Sequence, residues 1–266
     1  MNAVFGTFGR CTITALLLLV LAATARAEPA SVAAAADLRF ALSELAERFE
    51  QDTGQAVRLS FGSSGTFTHQ IEQGAPFELF LSADEGYVFR LADAGFTVDR
   101  GVLYAIGRLV VFAPHGSPLA VDGALDGVRS ALAEGRVRRF AIANPEHAPY
   151  GRAAQAVLRR VGLWDMVARH LVVGENASQA MQFAASGSSQ GGIVPLSLSK
   201  ADEVAKLGRF ALIPAELHAE EPLRQRMVLL RTAGAAARAF YAYLQSAPAR
   251  AVLTRYGFLL PGEQVR

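Results

Sequence analysis

From residue 28 onward, short β-branched or apolar runs alternate with longer stretches whose apolar positions recur every three to four residues, the pattern of an α/β architecture. Residues 30–35 read as a strand, and Leu38, Ala41, Leu42, Leu45, Ala46 and Phe49 then recur at helical spacing. A strand at 56–61 leads to a helix at 66–73 ended by Gly74, and a strand at 78–82 leads to a helix at 87–94 ended by Gly95. The alternation continues with strands at 109–113, 139–143, 170–173 and 192–196, and with helices at 150–161 and 177–186. A last helical stripe, 233–247, carries Phe240, Tyr241 and Leu244 and is expected to pack back on the first part of the chain. No internal repeat and no Pro-rich or low-complexity linker divides the sequence. Two lobes would therefore be joined by ordinary extended segments, and 108–113 and 226–230 are apolar enough to be strands crossing between them.

The first 27 residues change this picture. Arg10, an apolar run from Ile13 to Ala23, and Ala25-Arg26-Ala27 before Glu28 form the pattern of a cleaved secretory signal peptide. The apolar run is short for a bilayer span, and no later segment supplies one. The single cysteine, Cys11, lies inside that leader, so the mature chain is expected to have no disulfide, thiol catalysis or Cys-based metal site. The leader also carries two arginines and no acid, which leaves 24 basic and 24 acidic residues in the mature part. With no net charge and no basic run interleaved with aromatics, nucleic acid is not expected as a partner.

Four places share one local design, in which a strand ends, a small or polar residue follows and a helix begins. They are Ala36-Asp37, Ser63-Ser64-Gly65, Pro149-Tyr150-Gly151 and Asn176-Ala177-Ser178. The first turn of each helix leaves N–H groups without intrahelical partners, and the aligned peptide dipoles make that end partly positive. Four such ends converging would hold a doubly charged oxyanion without a buried Lys or Arg. Taken singly, Ser, Asp and Asn at these positions are ordinary helix caps.

The segments FGSSGTFTHQIEQGAPFELFLSAD, YAIGRLVVFAP and FAIANPEHAPYGRAAQAVL, in that order and followed by Tyr256-Gly257-Phe258 near the end, resemble the periplasmic molybdate-binding proteins of ABC importers across nearly the whole mature chain. The resemblance implies an α/β, two-lobed periplasmic binding protein of type II, with a ligand cleft between lobes joined by two crossing strands. The lobes expected are 28–108 plus 228–266, and 109–227. It further implies a molybdate or tungstate dianion as ligand, no cofactor, a membrane permease as partner and a monomeric carrier. Ser64 would give its hydroxyl and amide, and Tyr150 and Ala177 backbone amides, as contacts to the oxyanion rather than to the metal atom. Ala36, Asp37 and Ser63 would complete the site from the first lobe.

Two positions depart from the family pattern. Where relatives place Ser or a Thr-Asn pair, this chain has Ala36-Asp37, and two like charges ~4 Å apart at an effective dielectric near 20 repel by roughly 4 kcal/mol. Three arrangements are open to Asp37: it caps its own helix and offers only its amide, it accepts a proton from a protonated oxyanion, or it is itself protonated through burial. The second would change the ligand. The other departure is Pro195, where some relatives place a tyrosine and where proline offers neither N–H nor hydroxyl.

A secreted hydrolase is the alternative of another class, because Gly187-Ser188-Ser189-Gln190-Gly191 matches G-x-S-x-G with Ser189 as nucleophile. The order of elements is reversed, with a helical segment before the match and an apolar run after it, which fits a turn. The histidines at 69, 115, 147, 170 and 218 form no H-x-x-x-H pair, so no metal centre is expected. His147 alone lies beside a candidate loop, and it reads as a solvated loop histidine. Asn176-Ala177-Ser178 matches a glycosylation acceptor, which a place in a ligand cleft disfavours.

Overall fold

A computed structural model describes residues 28–263; the expected leader, 1–27, and its Cys11 lie outside the described residues. The first half runs β1 (Ala30–Ala35), a 3-10 turn (Ala36–Leu38), α1 (Arg39–Thr53), β2 (Val57–Gly62), α2 (Ser64–Glu72), β3 (Leu79–Ser82), α3 (Glu85–Asp93) and β4 (Val102–Ile106). It continues with β5 (Leu109–Pro114), α4 (Asp126–Ala133), β6 (Phe140–Ala143), α5 (Pro149–Arg160), α6 (Trp164–Ala168), β7 (Leu171–Gly174) and α7 (Ala177–Ala185). Then follow β8 (Gly192–Pro195), α8 (Leu196–Ser199), α9 (Asp202–Ala205), β9 (Gly208–Leu212), a 3-10 turn (Ala215–His218), β10 (Arg224–Leu229), α10 (Ala235–Tyr243) and α11 (Ala247–Arg255).

The strands form two five-stranded mixed sheets, ordered β2-β1-β3-β10-β4 and β7-β6-β8-β5-β9. In the first, β1 runs parallel to β2 and β3 while β10 is antiparallel to β3 and β4. In the second, β6 is parallel to β7 and β8 while β5 is antiparallel to β8 and β9. Every residue of β1 is buried, which explains its run of small and β-branched residues: a central strand covered on both faces has no polar alternation. Its pleat feeds two cores, with Val32 and Ala34 on one face and Ala33 on the other. A third core covers the second sheet.

The expected crossing segments, 108–113 and 226–230, contain the strands β5 and β10, and each of these pairs within one sheet. The chain passes between sheets just before them, at Gly107-Arg108 and over 213–223, and the Gly107 N–H donates to the Leu223 carbonyl at 2.9 Å where the passages meet. Pairing of Arg224 with Ile106 puts β10 in the first sheet from its start, so the return to that sheet precedes residue 228. The C-terminal stripe is two helices, because Ser246 caps α11 by accepting from the Ala249 N–H. Phe240 of α10 packs on Phe49 of α1 with ring centroids 5.0 Å apart, against the first sheet as expected. The strands β4 and β9 stood outside the expected set; both are sheet edges, and in β9 one-sided cover mixes polar with apolar positions. Among the described residues no helix is long and apolar enough to cross a membrane.

Candidate functional site

All four candidate loops follow the C-terminal ends of parallel strands, β1, β2, β6 and β7, where open α/β sheets hold their ligands. Ser63 is the N-cap of α2, its hydroxyl accepting from Thr66 N–H at 3.2 Å, and Asn176 caps α7 by accepting from Gln179 N–H at 3.1 Å. Proline in the first turn pre-sets α5, so Tyr150 also lies in that turn. Ser64 opens α2 fully buried; its oxygen accepts from Ala83 N–H at 3.0 Å, which leaves its O–H to donate.

The loops meet across the boundary between the sheets. The Gly65 N–H donates to the His147 carbonyl at 3.0 Å, and a Cβ at Gly65 would lie 2.7 Å from that oxygen, so only glycine allows this approach. The Ser178 hydroxyl donates to the Ala36 carbonyl and the Ser197 hydroxyl to the Asp37 carbonyl, each at 2.8 Å. Ala36 is thereby brought against the Ala177 turn, and Asp37 against the second lobe. Arg152 of α5 adds an ion pair to Asp84 and a 3.0 Å hydrogen bond to the Tyr87 hydroxyl on the first lobe. Among the described residues, none of the hydrogen bonds to Ala36, Asp37, Ser63, Ser64, Tyr150 or Ala177 comes from a Lys or Arg side chain. A cavity of about 580 Å³ adjoins the junction, lined on one side by Ala36, Phe40 and Phe61 and on the other by Asn176, Ser178 and Met181.

Asp37 is the electrostatic anomaly of the junction. It is 1% exposed, and its Oδ2 accepts from Gln225 Nε2 at 2.6 Å while its Oδ1 is buried with no hydrogen-bond partner. Burial raises its pKa from 3.8 to about 6, against the opposing hydrogen bonds from Gln225 and Tyr150. The same burial, with the charge of Asp37 beside it, pushes the Tyr150 hydroxyl well above its ordinary range. Of the three arrangements open to Asp37, capping is not the one adopted: the 3-10 turn has no side-chain cap, and the carboxyl faces Gln225 and Tyr150 instead.

Residues 30–259 match the bacterial extracellular solute-binding protein family. The chain belongs to that family. It is 37% identical over 242 residues, covering 90% of this chain and 93% of the other, to the molybdate-binding protein ModA of Azotobacter vinelandii. It is 35% identical over 255 residues to the molybdate-binding protein ModA of Rhodobacter capsulatus, covering 94% and 96%. The solved periplasmic molybdate-binding protein of Azotobacter vinelandii superposes with a TM-score of 0.77 at 33% identity, covering 87% of this chain and 99% of that one. The two-lobed α/β fold expected from the sequence is thus the fold of this solute-binding protein, whose family works outside the cytoplasm.

One reading of the sequence, that of His147, changes against the structure of this solute-binding protein. His147 is not a solvated loop residue: its Nδ1 lies 2.8 Å from Ser63 Oγ on the other lobe, and its Nε2 lies 3.0 Å from Asn144 Nδ2. Pro195 ends β8 without a site contact, and nearby Ser197 supplies the bond to the Asp37 carbonyl instead. Ser189 sits 1% exposed in a helix-to-strand turn, its hydroxyl within reach of the Phe183 and Gly191 carbonyls at 3.2 and 2.9 Å, the reverse of a nucleophile elbow. Among the described residues no group of His, Cys, Asp and Glu could hold a metal ion. Gln225, Tyr104, Ser197 and Arg152 were missed, because each acts on residues far away in sequence and no local motif marks it; Ser178 lay in a candidate loop, but its bond to Ala36 had no sequence signal.

Proposed function

We propose that this solute-binding protein captures molybdate or tungstate between its lobes and delivers it to the permease of an ABC importer, as a monomeric carrier exported by a cleaved leader. The observation that carries the reading is the likeness, over nine-tenths of both chains, to proteins named for molybdate binding. The geometry agrees with it. Four loops at strand C-termini meet at one junction, and their donors are backbone amides and hydroxyls. Ser64 donates its hydroxyl and amide, and Tyr150 and Ala177 donate first-turn amides, while Ala36, Asp37 and Ser63 close the site from the first lobe. In this reading the lobes divide at Gly107-Arg108 and ahead of β10, and no residue acts as a catalyst.

The buried, unpartnered Oδ1 of Asp37 favours a second reading, in which an ionised Asp37 accepts a proton from a protonated oxyanion. Calorimetric titration of the mature protein with molybdate, tungstate, sulfate and phosphate at pH 6 and pH 8 separates the two. Tight binding of molybdate and tungstate alone is the expected result. Phosphate binding that exceeds molybdate binding would overturn it in favour of the second reading.

A further inference from the structure

The Tyr150 hydroxyl lies where the two passages between the lobes touch. A Cβ on Gly107 would stand 2.2 Å from that hydroxyl and 3.0 Å from Gln225 Nε2, so the side-chain-free position is what admits the tyrosine. Gln225 is fully buried in β10, and the pairing of β10 with β4 shifts register between Gln225 and Arg226. Such a bulge re-aims a side chain out of the regular ladder. The Gln225 oxygen accepts from the Tyr104 hydroxyl at 2.7 Å, and its Nε2 donates to Asp37 at 2.6 Å and to the Tyr150 hydroxyl at 3.1 Å. With its oxygen held by Tyr104 of β4, the amide cannot turn over without losing both other bonds. One first-lobe side chain therefore fixes, at once, the loop after β1 and the tip of Tyr150 from the second lobe.

We propose that Gln225 is a positioning residue for anion capture: with Gly107 it forms a hinge stop that seats the Tyr150 hydroxyl and so sets where the first turn of α5 presents its amides. The proposal rests on the reading of Tyr150 as an anion contact through its backbone. A helix start displaced by half an ångström no longer directs its N–H groups at the same point, and sites of this kind tolerate little more. The tyrosine works at two ends, with its amide at the anion site and its hydroxyl at the hinge. Removing the hydroxyl leaves the amide in place chemically and releases it mechanically.

The test uses the mature protein, molybdate calorimetry and stopped-flow release, with Tyr150→Phe, Gln225→Leu, their double variant, Gly107→Ala, and Gly107→Ala combined with Tyr150→Phe. Tyr150→Phe and Gln225→Leu should each weaken binding about three- to tenfold, through faster release, and together no more than either alone. Gly107→Ala should weaken it about tenfold to a hundredfold by overpacking the slot, and adding Tyr150→Phe should restore part of that loss because the clashing atom is gone. Val88→Ala, in a first-lobe core apart from the hinge, should lower the melting temperature without changing affinity. Additive losses, no restoration in the Gly107 background, or an affinity that merely follows melting temperature would overturn the proposal. If the wild type binds no oxyanion, the proposed function fails and the hinge stop is read from small-angle scattering of the unliganded variants. There Gly107→Ala should be more extended than wild type and its combination with Tyr150→Phe less so; identical profiles would overturn the proposal.

Discussion

Asp37→Asn isolates the cost of burying a carboxyl beside the proposed anion site. The wild-type group is 1% exposed, its Oδ2 is held by Gln225, and its Oδ1 has no partner. None of the effects acting on it comes from a cation: burial raises its pKa from 3.8 to about 6 and hydrogen bonds only moderate the rise. A carboxyl whose folded pKa is raised binds its proton more tightly when folded. Its favourable contribution is complete below the unfolded value and is lost as pH rises through the folded one. The shift from 3.8 to about 6 corresponds to roughly 3 kcal/mol, withdrawn between about pH 4 and pH 7.

Asparagine keeps an oxygen to accept from Gln225 and removes the titration. The stability difference between Asp37→Asn and wild type, measured by urea unfolding at half-unit steps of pH, should therefore grow in favour of the variant by roughly 3 kcal/mol across that window. Its absolute value at one pH matters less, because the new NH2 occupies the unpaired position and itself costs about 1–3 kcal/mol when unsatisfied. Molybdate should bind the wild type more weakly as pH rises past about 6, where Asp37 adds its own negative charge beside the dianion, and bind the variant with no such slope. Parallel stability curves for the two proteins from pH 4 to pH 7 would refute the assignment of a buried, unpaired carboxyl at this position.

Ser64→Ala should weaken oxyanion binding about tenfold to a hundredfold by removing a hydrogen bond to a charged group. It should also lower stability by about 1–3 kcal/mol, since the buried Ala83 N–H loses its acceptor. Calorimetry and thermal melts read the two effects, and unchanged affinity removes Ser64 from the site. Arg152→Gln should speed ligand release while leaving each lobe folded, because the guanidinium ties α5 to Asp84 and Tyr87 across the boundary with both charged side chains about a quarter exposed, at 24% and 28%. Stopped-flow release at low and high salt checks this: the wild type should move toward the variant as salt screens the pair, and equal rates at low salt would show that Arg152 is no tie.

What was legible in the sequence is what is local. Ser63, Pro149 and Asn176 announce helix starts through residues a few positions away, so the four loops could be read without tertiary information. Asp37 announced a conflict but not its resolution, because its partner Gln225 is 188 residues distant and lies just before the apolar run that marks its strand. His147 and Ser63, on opposite lobes, are 84 residues apart, and Tyr104 and Gln225, on neighbouring strands of the first sheet, are 121 apart; side-chain pairs set by tertiary packing leave no periodic trace. The return to the first sheet was read late for a related reason: Arg224, Gln225 and Arg226 interrupt the apolar pattern of β10, each for a contact outside its ladder.

The strength of the tie between lobes also follows from the residue types at the junction. Apart from the guanidinium contacts of Arg152 and of Arg108 with the Gly257 carbonyl, the bonds that cross it join hydroxyls, amides, carbonyls and one imidazole: Gly65 to His147, Ser63 to the His147 ring, Ser178 to Ala36, Ser197 to Asp37 and Gln225 to Tyr150. Each neutral hydrogen bond adds only about 0.5–1.5 kcal/mol net, because water offers the same groups almost as much when the lobes part. Shifting a two-state equilibrium from one form to the other takes about 5.5 kcal/mol of differential affinity. A dianion touching amides from both lobes gains that much only when they meet, whereas a junction built on several buried ion pairs would hold the lobes together without it. On the proposed function, weak hydrogen-bonded ties keep closure dependent on the ligand, and they allow the ligand to leave once a partner opens the lobes.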